Sequence, residues 1–263
     1  MKVDVLDLEG KPTGKIELPE VFKELFRPDL ITRAVLALQS LKRQPYGPDE
    51  LAGFRTSAHY HGRRRERWTM MMRDMARLPR LHHTSPHMSW RARRVPQAVK
   101  GREAHPPKVE KVWYQKINKK EKELALRSAI ATTANKEILK SRGHKVEKIK
   151  ELPIVVKDEI ESIKKTKDVK KLLLSLGLED ELKRITERKI RPTAGRMRGR
   201  KYKTKIGPLI VVYEDRGIGK TCRNIPGVHV QLVKNISVED LAPGSNPGRL
   251  TIWSRSSIEK LGG

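Results

Sequence analysis

The chain has 263 residues, with 58 Lys and Arg against 31 Asp and Glu, a formal net charge of +27 and a sequence pI near 10.3. So large a surplus repels itself and points to a polyanionic partner, while no apolar run approaches the ~20 residues of a spanning helix. Acids stand in MKVDVLDLEG where a secretory leader would carry its apolar stretch, and the single cysteine, Cys222, excludes a disulfide framework and a cysteine-ligated zinc site and suits a reducing cytosol.

Residues 3–8 alternate as a half-buried strand does, and the turn EGKPTG leads to a second strand at 15–18. Pro19 suits the first turn of a helix over 19–26. A longer helix is predicted after Asp29, with Leu30, Ala34, Leu38 and Leu41 near one face. Residues 42–108 then interrupt the pattern. Beyond them, NKKEKELALRSAIATTAN opens with Asn118 three residues before Glu121, a capping box, and a helix over 136–141 stops near Gly143. Residues 152–156 and 208–213 are β-branched runs without alternation, as in buried parallel strands. Between them lie helices at 167–176, ended by Gly177, and near 180–188. Strands at 228–233 and 250–253 and a terminal helix from Ser256 follow. The alternation predicts an α/β fold, a mostly parallel sheet with helices on both faces, formed as one domain from 1–41 and 109–263.

The charge is concentrated in two places. Residues 42–108 hold 16 Lys and Arg against 5 acids, and residues 183–205 hold 11 against 1, so only +6 remains on the other 173 residues. The first segment has six Val, Ile, Leu or Phe in total (Leu51, Phe54, Leu78, Leu81, Val95, Val99), too few to offset an ordering cost of ~1–2 kcal/mol per residue. Thirteen of its sixteen cations are arginine, whose planar fork pairs with phosphate and stacks on rings. Trp68, Trp90, Tyr46 and Tyr60 suit stacking on bases. The segment is expected to become ordered on RNA. Within it, HGRRRERWTMMMRDMARLPR predicts a short amphipathic helix: Trp68, Met71, Met72, Met75 and Leu78 or Ala76 on a packing face, Arg63, Arg64, Arg67, Arg73 and Arg77 on the flanks, and Pro79 as the stop. In the second run, ERKIRPTAGRMRGRKYKTKIGP, Gly195 and Gly199 let the backbone approach phosphates and Tyr202 offers a ring.

Catalytic chemistry finds little support. EDRGIGKT, after a buried strand, has the Gly-Lys-Thr of a phosphate-binding loop at Gly219, Lys220 and Thr221, but Glu214 stands where the first glycine belongs. Glu214 and Asp215 at a strand end suit turn and capping roles. His59, His61, His82, His83, His87 and His105 crowd one segment, yet HYH and HH read as poor chelating spacings on a cationic background. No catalytic residue, metal ligand or cofactor is predicted.

GFRTSAHYHG, RLPR, WRARRVPQAVKGREAHPP, RPTAGRMRGRKY, GPLIVVYEDRGIGKTCRNIPG and LAPGSNPGRLTIWSRSSIEKL, in this order, resemble the large-subunit ribosomal protein four family, in the branch shared by archaea and eukaryotes. The resemblance spans nearly the whole chain. It implies a three-layer α/β/α domain on the ribosome surface, early RNA binding in subunit assembly, a long loop threaded into large-subunit ribosomal RNA, and no enzymatic activity. Carried onto this chain, the loop is 42–108, and its tip, around 59–68, lines the polypeptide exit tunnel with His59, Tyr60, His61, Gly62, Arg63 and Arg64 facing it. RNA contacts then fall to Arg55, Arg63, Arg64, Arg65, Arg67, Trp68, Arg73, Arg77, Arg80, Trp90, Arg91, Arg93, Arg94, Lys100 and Arg102. The run 189–205 adds a second RNA surface through Arg191, Arg196, Arg198, Arg200, Lys201, Tyr202 and Lys203. Implied partners are large-subunit ribosomal RNA, neighbouring large-subunit proteins and the nascent polypeptide near the tip, in the cytoplasmic large subunit, with no membrane and no homo-oligomer. Where the family carries a glycine-rich stretch after RTSA, this chain has HGRRRERW. Two other readings compete: an RNA-dependent nucleotide-binding enzyme resting on Gly219–Thr221, and a DNA-compacting basic protein, since charge alone does not tell duplexes apart.

Overall fold

The computed structural model describes residues 1–82 and 85–262. It contains two compact units, a body of Met1–Lys42 with Tyr114–Gly263 and an insertion, Arg43–Trp113. The second junction lies at Trp113 rather than after residue 108, because Tyr46, Arg43 and Lys111 gather on the Trp113 ring within the insertion, with centroid distances of 5.1, 4.3 and 4.7 Å.

The body opens with β1 (Lys2–Leu6) and β2 (Pro12–Glu17), an antiparallel hairpin with Lys2 opposite Glu17. The helix expected over 19–26 is only a 3-10 turn, Glu20–Lys23. The turn ends because Glu24 leaves it in extended backbone, at φ −61°, ψ 149°. Then come α1 (Pro28–Leu41) and, past the insertion, α2 (Lys119–Thr132) and α3 (Lys136–Arg142). Glu121 accepts the Asn118 backbone N–H at 3.4 Å, the reciprocal half of the capping box. Asn135 caps α3 by accepting from Glu137 N at 2.9 Å. There follow β3 (Ile154–Val156), α4 (Thr166–Ser175), α5 (Glu179–Thr186), β4 (Lys189–Ile190), β5 (Tyr202–Lys203) and β6 (Leu209–Val212). The chain ends with α6 (Ile218–Cys222), β7 (His229–Leu232), α7 (Val238–Leu241), β8 (Thr251–Ser254) and α8 (Arg255–Gly262).

The strands form a six-stranded sheet ordered β2-β1-β3-β8-β6-β7, parallel throughout except for the β1/β2 hairpin. Side chains alternate across a pleated strand, and here both sides are apolar. Ile154, Val156, Ile210, Val212 and Ile252 point to a core completed by Leu139 of α3, Leu172 and Leu173 of α4, Ile185 of α5 and Ile218 of α6. Val155, Leu209, Val211 and Trp253 point to the other, completed by Ile31 and Val35 of α1, Ala129 of α2, Leu241 of α7 and Ile258 of α8. Sheet burial on both faces explains why the sequence shows continuous apolar runs in β3 and β6. The result is an α/β fold of three layers.

Candidate nucleic-acid interface

In the body, the places where an α/β enzyme would work are filled by the protein's own hydrogen bonds. In EDRGIGKT the loop N–H groups are taken by a neighbouring carboxylate: Asp215 Oδ1 accepts from Gly217 N and Gly219 N, both at 3.0 Å. The Thr221 hydroxyl, which a nucleotide loop would aim at a metal-bound phosphate, is buried and donates to Gly217 O at 3.0 Å. Burial, aided by Asp215, pushes the Cys222 thiol up to about 12, far from a reactive thiolate. At the carboxyl ends of the strands Glu161 is only 3% exposed and accepts from Tyr213 N at 2.8 Å and from the Ser254 hydroxyl at 3.1 Å. It fastens β6 to β8.

Further polar staples in the body escape periodicity arguments. Arg249, 2% exposed, donates from Nε to Gly207 O and from Nη1 to Asp240 O, each at 2.9 Å. Glu181, fully buried, accepts from Arg184 Nη2 at 2.6 Å, His144 Nδ1 at 2.7 Å and Lys145 N at 3.0 Å. Burial works against the Glu181 charge, but hydrogen bonds from Arg184 and His144 outweigh it and hold the carboxyl at about 2. Burial also lowers His144, so the pair is an ionised carboxylate facing a neutral imidazole that donates through Nδ1.

The second basic run is an exposed hairpin. β4 and β5 pair antiparallel, Lys189 with Lys203 and Ile190 with Tyr202, and Arg191 N donates to Lys201 O at 2.8 Å. Arg188 and Lys201 lie 5.8 and 5.6 Å from the Tyr202 ring centroid. Arg196, Arg198, Arg200, Lys201 and Lys203 are exposed, and Arg191 is half-exposed. Among the described residues none of these six is paired with a carboxylate.

The insertion departs from expectation in its backbone. The helix predicted within 61–80 is absent: these residues form turns and bends, and Trp68 and Met72 take left-handed φ of 67° and 61°. Met70 is buried while Met72 is 82% exposed, so the methionines form no single face. The reason lies in long-range pairing. His59 and Arg80 exchange backbone hydrogen bonds of 3.3 and 3.1 Å, Arg80 also bridges to Ala92, and Met70 N donates to His61 O at 3.3 Å. These bonds draw the segment across itself.

Two of the rings expected to stack on bases, Trp68 and Trp90, pack on one another. Trp68 and Trp90 lie 5.2 Å apart, with Arg67 and Arg73 at 5.5 and 4.4 Å from their respective rings. Nor do all the arginines face outward. Arg80 donates to Trp90 O at 2.8 Å and Ala76 O at 2.9 Å. Arg93 is buried and donates to Val99 O, whereas its neighbour Arg94 is exposed. Two glycines permit close passes at the base of the insertion: a Cβ at Gly101 would stand 1.9 Å from Val95 O, and Gly53, at φ 82°, would put one 2.4 Å from Arg102 N. Arg55 pairs with Asp49 at 2.7 Å and Arg63 with Glu66 at 3.6 Å. Arg64, Arg65, Arg67, Arg73, Arg77, Arg91, Arg94, Lys100 and Arg102 are exposed and, among the described residues, have no carboxylate partner. Tyr60 and Gly62 of the expected tip are exposed.

Three of the histidines converge, against the expectation from their spacing. One nitrogen from each of His59, His61 and His82 falls within 4.8 Å of the others. His83 lies outside the described residues.

Residues 16–263 match the model of the family described as "Ribosomal protein L4/L1 family". The chain belongs to that family. Its relatives include the "Large ribosomal subunit protein uL4" of Archaeoglobus fulgidus, 50% identical over 263 residues, spanning 100% of this chain and 98% of the relative. The proteins of the same name from Methanosphaera stadtmanae and Nanoarchaeum equitans are each 48% identical, covering 99% of this chain and 96% and 97% of their own lengths. Among the described residues no helix is long and apolar enough to cross a membrane.

Proposed function

We propose that this chain is a structural, non-enzymatic constituent of the large ribosomal subunit in the cytoplasm, bound to ribosomal RNA and neighbouring ribosomal proteins. In this reading the hairpin around 189–205 and the insertion are its two RNA surfaces. The protein joins the subunit early, and residues 59–68 line the polypeptide exit tunnel within reach of the nascent chain.

The observation that carries the reading is the poverty of the insertion's own stabilisation. Arg65, Trp68, Met72, Trp90, Arg94 and Lys100 all adopt left-handed φ, at roughly 1 kcal/mol or more each. Against this, Ala58 and Met70 are its buried apolar side chains, a contribution of about 3 kcal/mol, and the ring pairs add roughly 0.5–1.5 kcal/mol apiece. That is little apolar burial for a unit of about 70 residues. A polyanion that takes up the unpaired arginines supplies what is missing. RNA fits better than duplex DNA because the cations sit on a folded-back segment that a single groove would not follow.

Large subunits assembled with a chain lacking residues 62–90 test the tip. Chemical probing of tunnel RNA should change while the footprint of the body stays. Loss of the body footprint with unchanged tunnel probing would make the insertion a surface anchor instead.

A further inference from the structure

His59 and Arg80 face each other in an isolated antiparallel bridge, which brings 59–61 beside 80–82. Ring centroids lie 4.3 Å apart for His59 and His61, 4.5 Å for His59 and His82, and 4.7 Å for His61 and His82. The protonation pattern is set by one neighbour. His59 Nδ1 lies 2.9 Å from Ser57 O, and a carbonyl only accepts, so Nδ1 carries the hydrogen and Nε2 is left with a free lone pair. Nε2 of His61 and Nε2 of His82 are both buried with no hydrogen-bond partner. Buried imidazole nitrogens normally find a partner; here two lack one, on rings packed against a third.

We propose that His59, His61 and His82 bind a Zn2+ ion through their Nε2 atoms. Three imidazoles and one water complete a tetrahedron. Zn–N bonds of about 2.0–2.1 Å place ligand nitrogens about 3.3 Å apart, so binding draws the donor atoms inward from their present spread of up to 4.8 Å. It also turns two rings, because His59 and His82 now stack within 8° of parallel. The walls are suited to ligation. Trp68 lies 4.8 Å and Trp90 6.4 Å from the His82 ring, giving that ligand an aromatic wall.

The charged groups around the cluster act in both directions. Arg63, Arg64, Arg65 and Arg67 on the same stretch repel a dication, partly countered by Glu66, while Arg80 is held away by its bonds to Trp90 O and Ala76 O. The ion would tie 59–61 to 82 and fix the crossing of the insertion without RNA, so the site stands apart from the RNA reading.

The full-length, metal-free protein titrated with Zn2+ against a chromogenic chelator, and with Co2+ followed by absorption, decides the matter. One equivalent should bind, with the intense visible bands of a tetrahedral Co2+ site. His61→Ala and His82→Ala should each weaken binding by at least about tenfold, and His87→Ala and His105→Ala, at exposed positions, should leave it unchanged. Zn2+ should also slow proteolysis between residues 59 and 82. No saturable binding by the unaltered chain overturns the proposal. So does binding that survives both cluster variants, or that falls equally in the two controls.

Discussion

The body buries Trp253, Ile210, Leu172 and their neighbours in two apolar layers against a six-stranded sheet, whereas the insertion buries Ala58, Met70 and the arginine Arg93. Arginine is solvent-facing almost everywhere in the body and becomes part of the framework in the insertion, where Arg80 and Arg93 donate to backbone carbonyls and Arg67 and Arg73 lie over tryptophan rings. The body has exceptions: desolvation lowers Arg142 and Arg249 to about 10 each, both bond to carbonyls, and Arg184 donates to the buried Glu181 and to Ile206 O. The difference teaches that one chain is ordered by two means: apolar area where it folds alone, and cationic hydrogen bonding where it has too little apolar area to do so.

The largest separation of the two should come from truncating their best-packed side chains. Trp253→Ala should lower body stability by about 3–5 kcal/mol in chemical denaturation. Met70→Ala, equally buried, should leave that midpoint within about 0.5 kcal/mol, since it belongs to the other unit. A comparable drop would show that the two units unfold together.

Next in size is the buried Glu181 network. Glu181→Gln should cost roughly 3 kcal/mol, because Arg184 loses its carboxylate inside the body. Folded Glu181 binds its proton less tightly than the unfolded chain does, so this stability is present above about pH 4.5 and drains as pH falls toward 2. His144, also lowered, adds a loss with the same sign that begins as pH drops below 6.5. Body stability measured from pH 8 to 2 should therefore fall on the acid side, and the Gln variant should flatten the part below 4.5. A flat wild-type profile would remove the network from the account.

A smaller contrast lies inside WRARRVP, where Arg93 and Arg94 are adjacent but differently employed. Arg94→Ala should reduce the salt dependence of ribosomal RNA binding by about one phosphate's worth of released counterions. Arg93→Ala should leave that slope alone and speed proteolysis of the insertion, since its guanidinium holds Val99 O. Equal slope changes would mean that both forks reach RNA.

How much of this was legible in the sequence depends on whether local pattern or long-range pairing governs. β3 and β6 were readable because a strand buried on both faces has to be apolar throughout. The α2 start was readable because Asn118 and Glu121 carry their geometry in their spacing. The helix expected within 61–80 failed because a methionine spacing of three and four says nothing of the His59–Arg80 bridge that overrides it. Likewise no local signal distinguishes Arg93 from Arg94, or brings His82 to His59 across 23 positions. The residues expected to face RNA came from the family resemblance, and Trp113, outside its expected loop, was missed; an aromatic flanked by Arg43, Tyr46 and Lys111 in space is not adjacent to Arg43 or Tyr46 in sequence.

The central claim is that the unpaired cations of the two basic segments meet phosphates. Affinity for large-subunit ribosomal RNA measured against salt tests it with three variants that each remove four charges: Arg64, Arg65, Arg67 and Arg77 to Gln in the insertion, Arg191, Arg196, Arg198 and Arg200 to Gln in the hairpin, and the exposed Lys15, Lys23, Lys120 and Lys122 to Gln in the body. The two arginine variants should flatten the slope by up to about 0.9 for each phosphate no longer neutralised, and the lysine variant should leave it nearly unchanged. Equal flattening in all three would mean that the basic segments respond only to net charge, and would contradict the account.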